Sequence, residues 1–86
     1  MIKILKFDTH WIVAEVEEIP GVEFGDPDCV LKYPCEILSD GEVVRFPPYS
    51  NDTEIVVRSS EITLISEPID KIAQRYYMLK PQVKEP

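Results

Sequence analysis

Two groups of side chains have types and spacing that could do chemistry. Arg45-Phe46-Pro47-Pro48-Tyr49 interleaves a cation with two aromatic rings, a combination that grips unpaired bases by charge and stacking. Against that, Phe46 in an extended run also reads as core, and Tyr49 beside a turn as packing over a rim. Glu23, Asp26 and Asp28 gather three acids in one short loop. Asp26-Pro27-Asp28 lacks the repeated acidic spacing and glycine of a calcium loop, so turn chemistry accounts for the acids and no metal is expected. His10 is the single histidine, beside Asp8 in a turn. No second histidine, cysteine pair of zinc spacing, glycine-rich phosphate cradle or nucleophile elbow accompanies it. The chain therefore reads as a non-enzyme with no cofactor.

The elements that must position these residues are short. Eight prolines are spread through 86 residues, leaving few windows for a long helix. A chain of this size makes one domain and buries only about 60–65% of its unfolded surface, so a lone copy is marginally stable. The net charge of −7 repels phosphate backbones at long range, and any nucleic-acid role must use a local basic patch. No apolar run reaches the roughly 18 residues of a membrane span, and the start, MIKILKFD, is too short for a signal peptide; a cytoplasmic protein with no membrane partner is expected. If residues 29–38 form one strand, Cys29 and Cys35 share a face about 20 Å apart, at roughly 3.3 Å per residue. That is beyond the roughly 7 Å a disulfide spans, so the two thiols should stay unbridged within the chain.

Residues 2–7 alternate apolar and lysine positions, and residues 11–19 put Ile12, Ala14 and Val16 opposite Glu15 and Glu17, predicting a hairpin through Asp8-Thr9-His10. Residues 20–28 are loop, with two glycines and two prolines. Residues 29–38 put Cys29, Leu31, Tyr33, Cys35 and Ile37 in one inward row, with Pro34 demanding an edge, bulge or sharp bend. Asp40-Gly41 is a strong hairpin signal into residues 42–46, which Pro47-Pro48 ends. Residues 53–57 and 61–65 are two further runs, hinged at Arg58-Ser59-Ser60 by a tight hairpin or a corner. From Pro68 the period turns helical, with Ile69, Ile72, Ala73, Tyr76 and Lys80 on one stripe and Tyr77 beside it. Pro68 suits the first turn and Asp70 the positive dipole end. Tyr76-Tyr77 should anchor this helix, while Lys71, Arg75 and Lys80 read as a solvated face. The helix should end near residue 78 or 79, with Pro81 opening a disordered tail over residues 81–86. The order is five strands, with room for a sixth, and then a helix: one domain over residues 1–80, mainly β, whose edges a strongly bent small barrel would hide best.

Val57-Arg58-Ser59-Ser60-Glu61-Ile62, followed by Leu64-Ile65, resembles the second signature of Sm and Sm-like proteins, an apolar strand meeting Arg-Gly and a small polar residue. Asp28-Cys29-Val30-Leu31 is a weaker echo of the first signature, with Phe24 and Asp26 near the aromatic and acid of its turn but out of register. The Asp-Pro-Asp turn, the Leu-Lys-Tyr-Pro strand, the Phe-Pro-Pro-Tyr segment and the Glu-Pro junction make the whole layout similar to a group of small Sm-like proteins associated with marine cyanophages. The resemblance implies a five-stranded, SH3-type barrel that closes into a homo-oligomeric ring of five to seven subunits by strand pairing. It implies single-stranded RNA or DNA as ligand around the pore, with Asp28, Arg58, Ser59 and Ser60 at the site and Arg45 and Tyr49 as further contacts. Two features depart from the pattern. Ser59 replaces the glycine, which disfavours positive φ, and the helix is C-terminal where the familiar fold begins with one. The plain reading of Arg58-Ser59-Ser60 is a polar corner between strands. A structural or adaptor homo-oligomer that leaves nucleic acid alone is the competing function, and the acidic balance is its motive.

Overall fold

The alternation at the N-terminus becomes a hairpin in the computed structural model, which describes residues 2–79. The expected tail at residues 81–86, and Lys80 of the helix stripe, lie outside the described residues. β1 (Ile2–Phe7) and β2 (His10–Glu18) pair antiparallel from Ile2↔Glu15 to Phe7↔His10. Asp8 turns the corner at φ 52°, a left-handed conformation that aspartate tolerates better than most residues. β3 (Cys29–Ile37) lies beside β2. Its C-terminal half carries β4 (Val43–Arg45) and its N-terminal half carries β5 (Glu54–Val57). The β3–β4 hairpin turns through Asp40-Gly41, with Gly41 at φ 89°. β6 (Ile62–Ser66) pairs with β1, and α1 (Asp70–Leu79) follows. The sheet order is β4-β3-β2-β1-β6, with β5 beside β3.

The expected closed, five-stranded barrel is not formed: the sheet has six strands and stays open. Two local causes account for this. Pro47 and Pro48 have no amide hydrogen with which to extend β4, so β4 stops at Arg45 and β5 starts separately at Glu54. At the hinge, residues 59–61 coil into a 3-10 turn with Arg58 and Ile62 extended on either side. The chain thus turns a corner there instead of folding into a hairpin. β5 goes to β3 and β6 to β1, and no ladder joins β5 to β6 among the described residues.

The sheet is bent so that it serves two cores. On one face Leu5, Ile12, Ala14 and Leu31 are fully buried, with Phe46, Ile55, Val57 and Ile62 packed against them. Residues from β5 and β6, on separate branches of the sheet, therefore meet over one apolar group. On the other face Ile2, Val13, Cys35 and Val43 lie under Ile72 and Tyr76 of α1. Each fully buried aliphatic side chain contributes roughly 1.5–3 kcal/mol.

One strand reaches both cores, which corrects the single inward row expected for β3. Its ladder with β2 jumps from Val13↔Cys35 to Glu15↔Lys32, so Tyr33 and Pro34 stand opposite Ala14 alone. This is a β-bulge, with Tyr33 at φ 51° and its N–H donating to the Thr53 carbonyl at 2.6 Å. The extra residue flips the alternation. Leu31 faces the concave core and Cys35 the helix side. Both cysteines are free, and burial pushes the Cys35 thiol up to about 11, with the Arg45 charge pulling the other way.

Ile72 and Tyr76, four residues apart on one helix face, anchor α1, and the Tyr76 hydroxyl donates to the Lys32 carbonyl at 3.3 Å. Tyr77 is half exposed and meets Tyr76 edge-on. Pro68 lies outside the helix, not in its first turn, and Ile69 is exposed: its carbonyl accepts from Ala73 N–H, so it precedes the helical turn. Arg75 is not simply solvated. Its Nη1 donates to the Gly41 carbonyl at 2.6 Å, tying α1 to the β3–β4 turn. No helix among the described residues is long and apolar enough to cross a membrane.

Candidate functional site

The pairing of β3 with β5 ends at Cys29↔Val57, which puts Asp28 and Arg58 side by side just beyond the last rung. Asp28 extends the ladder by one bond, its N–H donating to the Val57 carbonyl at 3.1 Å. Its carbonyl accepts from Ile19 N–H at 2.8 Å, pinning the two ends of the long loop together. The carboxylate is then claimed by the corner. Oδ1 accepts from the Ser59 backbone N–H at 2.6 Å and Oδ2 from the Ser59 hydroxyl at 2.7 Å. The hydroxyl bond first, then the backbone bond, hold Asp28 below its ordinary carboxylate value, and desolvation opposes them only in part.

Arg58 fixes the opposite wall. Its Nε donates to the Gly25 carbonyl at 2.6 Å, so the guanidinium holds the tip of the loop. Gly25 sits at φ 92°, a conformation that a side chain would strain. Ser59 needs no such freedom: left-handed backbone occurs at Asp8, Tyr33 and the three glycines, and Ser59 lies in the 3-10 turn. Serine at position 59 therefore supplies a hydroxyl donor without backbone strain.

Between these walls is a cavity of about 180 Å³. Asp28, Arg58, Ser59 and Ser60 form one side, and residues 22–26 the other. Phe24 at its edge is fully exposed. Four of the six sequence candidates thus converge. Phe24 was not among them, although an aromatic ring isolated in a polar loop is itself a signal, since nothing nearby gives it a core to join.

Arg45 and Tyr49 are not part of this cavity. Arg45 points its Nη2 at the Asp52 carbonyl, 3.0 Å away, and its Nε is buried with no partner among the described residues. Phe46 packs on the concave core and lies 5.7 Å from the His10 ring. His10, read as a turn residue, begins β2, and its Nδ1 is 2.8 Å from Glu36 Oε2. Tyr49 is fully exposed. The loop acids Glu23 and Asp26 line the cavity with Asp28, yet no group of three or more His, Cys, Asp or Glu set to hold a metal occurs among the described residues.

Fold and site together define a mainly β, one-helix domain with a small mixed-charge pocket where β3 begins and β5 ends. The chain belongs to the DUF6561 family, a family of unknown function, which it matches over residues 1–81. No curated protein matches it.

Proposed function

We propose that this protein is an Sm-like module that assembles into a homo-oligomeric ring of five to seven copies and binds single-stranded RNA or DNA at the corner pocket. One observation carries the reading. The two stretches that resemble the Sm signatures, 31 residues apart at Asp28 and Ser59, are joined by paired hydrogen bonds and wall one cavity. Arg58 puts a cation there, and Phe24 an unshielded ring for base stacking. Assembly has its own support. β5 and β6 are open edges carrying Val56, Leu64 and Ile65 exposed, and pairing such edges between copies covers both backbone and apolar surface.

The adaptor reading draws on charge. Three carboxylates and one guanidinium line the pocket of a chain already at −7, a field that opposes a polyanion. Fluorescence anisotropy with short labelled single-stranded RNA and DNA at two salt concentrations separates the two. The nucleic-acid reading expects binding that weakens steeply with salt and disappears in Arg58→Ala. No binding by the assembled protein at low salt would leave the adaptor. A strictly monomeric protein at micromolar concentration in sedimentation would contradict both.

A further inference from the structure

We propose that α1 is a strap that lifts from the sheet as a unit, uncovering the apolar strip of Ile2, Val13, Cys35 and Val43 while the concave core and the corner pocket stay folded. The helix is lightly held. Of its ten residues only Ile72 and Tyr76 are buried, and Tyr77, Met78 and Leu79 are exposed. The backbone hydrogen bonds of an α-helix close within it, so lifting α1 breaks no rung of the sheet. What must part is the packing of Ile72, Ala73 and Tyr76 and two side-chain bonds to carbonyls, Arg75 to Gly41 and Tyr76 to Lys32. The second of these is long, at 3.3 Å, and the helix lies chiefly along β4, a three-residue edge strand. The ladder with β1 fixes β6 as far as Ser66 through the Ile4↔Ser66 pair, which leaves residues 67–69 as the hinge.

The rest of the molecule does not lean on the helix. The two cores lie on opposite faces of the bent sheet and share no buried residue. The concave core is built from strands and Phe46, and the corner pocket from the long loop and residues 58–60; α1 contributes a side chain to neither. Proteins open locally in such units, where buried contacts are few and the neighbouring elements hold one another. The two free thiols are placed to report this motion. Cys35 is sealed beneath α1 in the helix-side core. Cys29 sits between Glu18 of β2 and Val57 of β5 in the ladder and is no part of that core.

The test follows thiol–disulfide exchange of Cys35 with dithiobis-nitrobenzoate in the full chain carrying Cys29→Ala, reading the coloured thiolate that leaves as the Cys35 thiolate attacks the reagent's disulfide. Below the unfolding midpoint the rate should depend only weakly on urea, because lifting one helix exposes little surface. Arg75→Ala should speed the exchange roughly fivefold, the factor for one hydrogen bond lost. Phe46→Ala, on the concave core, should lower the urea midpoint and leave the Cys35 rate unchanged. Amide hydrogen exchange on the unaltered protein should show residues 70–79 opening together and sooner than the β1–β2 ladder. A Cys35 rate that rises in Phe46→Ala in step with the lost stability overturns the strap. So do helix amides that exchange only when the ladder does.

Discussion

Two segments of this chain each join an arginine to neighbouring polar or aromatic groups, and the fold uses them in opposite ways. At residues 58–60 the side chains reach across to a distant loop, Arg58 to Gly25 and Ser59 to Asp28, and a cavity opens between them. At residues 45–49 the arginine bonds locally to Asp52 and the first ring sinks into the concave core, leaving Tyr49 alone outside. The difference teaches that residue type does not decide a site. What decides it is whether a ladder between two strands stops there, as that of β3 and β5 does at Cys29↔Val57, or a strand simply continues into a turn.

The largest expected effect breaks the second segment. Phe46→Ala should cost about 2–3 kcal/mol, somewhat below the roughly 3–5 kcal/mol of a fully buried phenylalanine because the ring is only partly buried, seen as a lower urea midpoint. If this ring served a ligand and not the core, stability would hold. Next comes Arg58→Ala, which removes a single hydrogen bond and should cost about 1 kcal/mol. Amide hydrogen exchange should speed up over residues 20–28 and little elsewhere; a protein-wide increase would make Arg58 structural in the manner of Phe46.

A smaller effect sharpens the first segment through pH. Asp28 is depressed below its ordinary 3.8, so its contribution to stability is present above that value and is lost as pH falls through the lower folded value. Ser59→Ala removes the largest cause while keeping the backbone donor. The Asp28 titration followed by NMR should move up toward 3.8, and the acid-side loss of stability should shrink. An unmoved titration would mean that the hydroxyl does not hold the carboxylate in solution. Tyr49→Ala should change least, within about 0.5 kcal/mol of the parent in the same urea experiment.

Much of the architecture was legible because its causes are local. The β1–β2 hairpin follows from alternation, the β3–β4 turn from Asp40-Gly41, and the helix face from Ile72 and Tyr76. Pro34 announced an irregularity in β3. Its consequence was hidden, because a tyrosine in a left-handed conformation is held there by the Thr53 carbonyl of a segment twenty residues on. The open sheet was equally hidden: whether two neighbouring runs pair with each other or part company depends on partners elsewhere in the chain. For the site, Asp28 and Arg58 could be brought together beforehand only through the Sm-like resemblance, since their adjacency is a product of the Cys29↔Val57 rung. Arg75 misled for the same reason, its partner Gly41 being 34 positions away.

The bulge at Tyr33 also acts as a firebreak for changes in chain length. Residues 35–37 keep register with β4, while residues 29–32 keep it with β5, and the surplus residue between them separates the two ladders. A residue gained or lost in the Asp40-Gly41 turn is absorbed by the hairpin it closes and stops short of the rungs that set Asp28 against Arg58. That turn is accordingly where an affinity tag or a spectroscopic label can be grafted with the pocket left undisturbed.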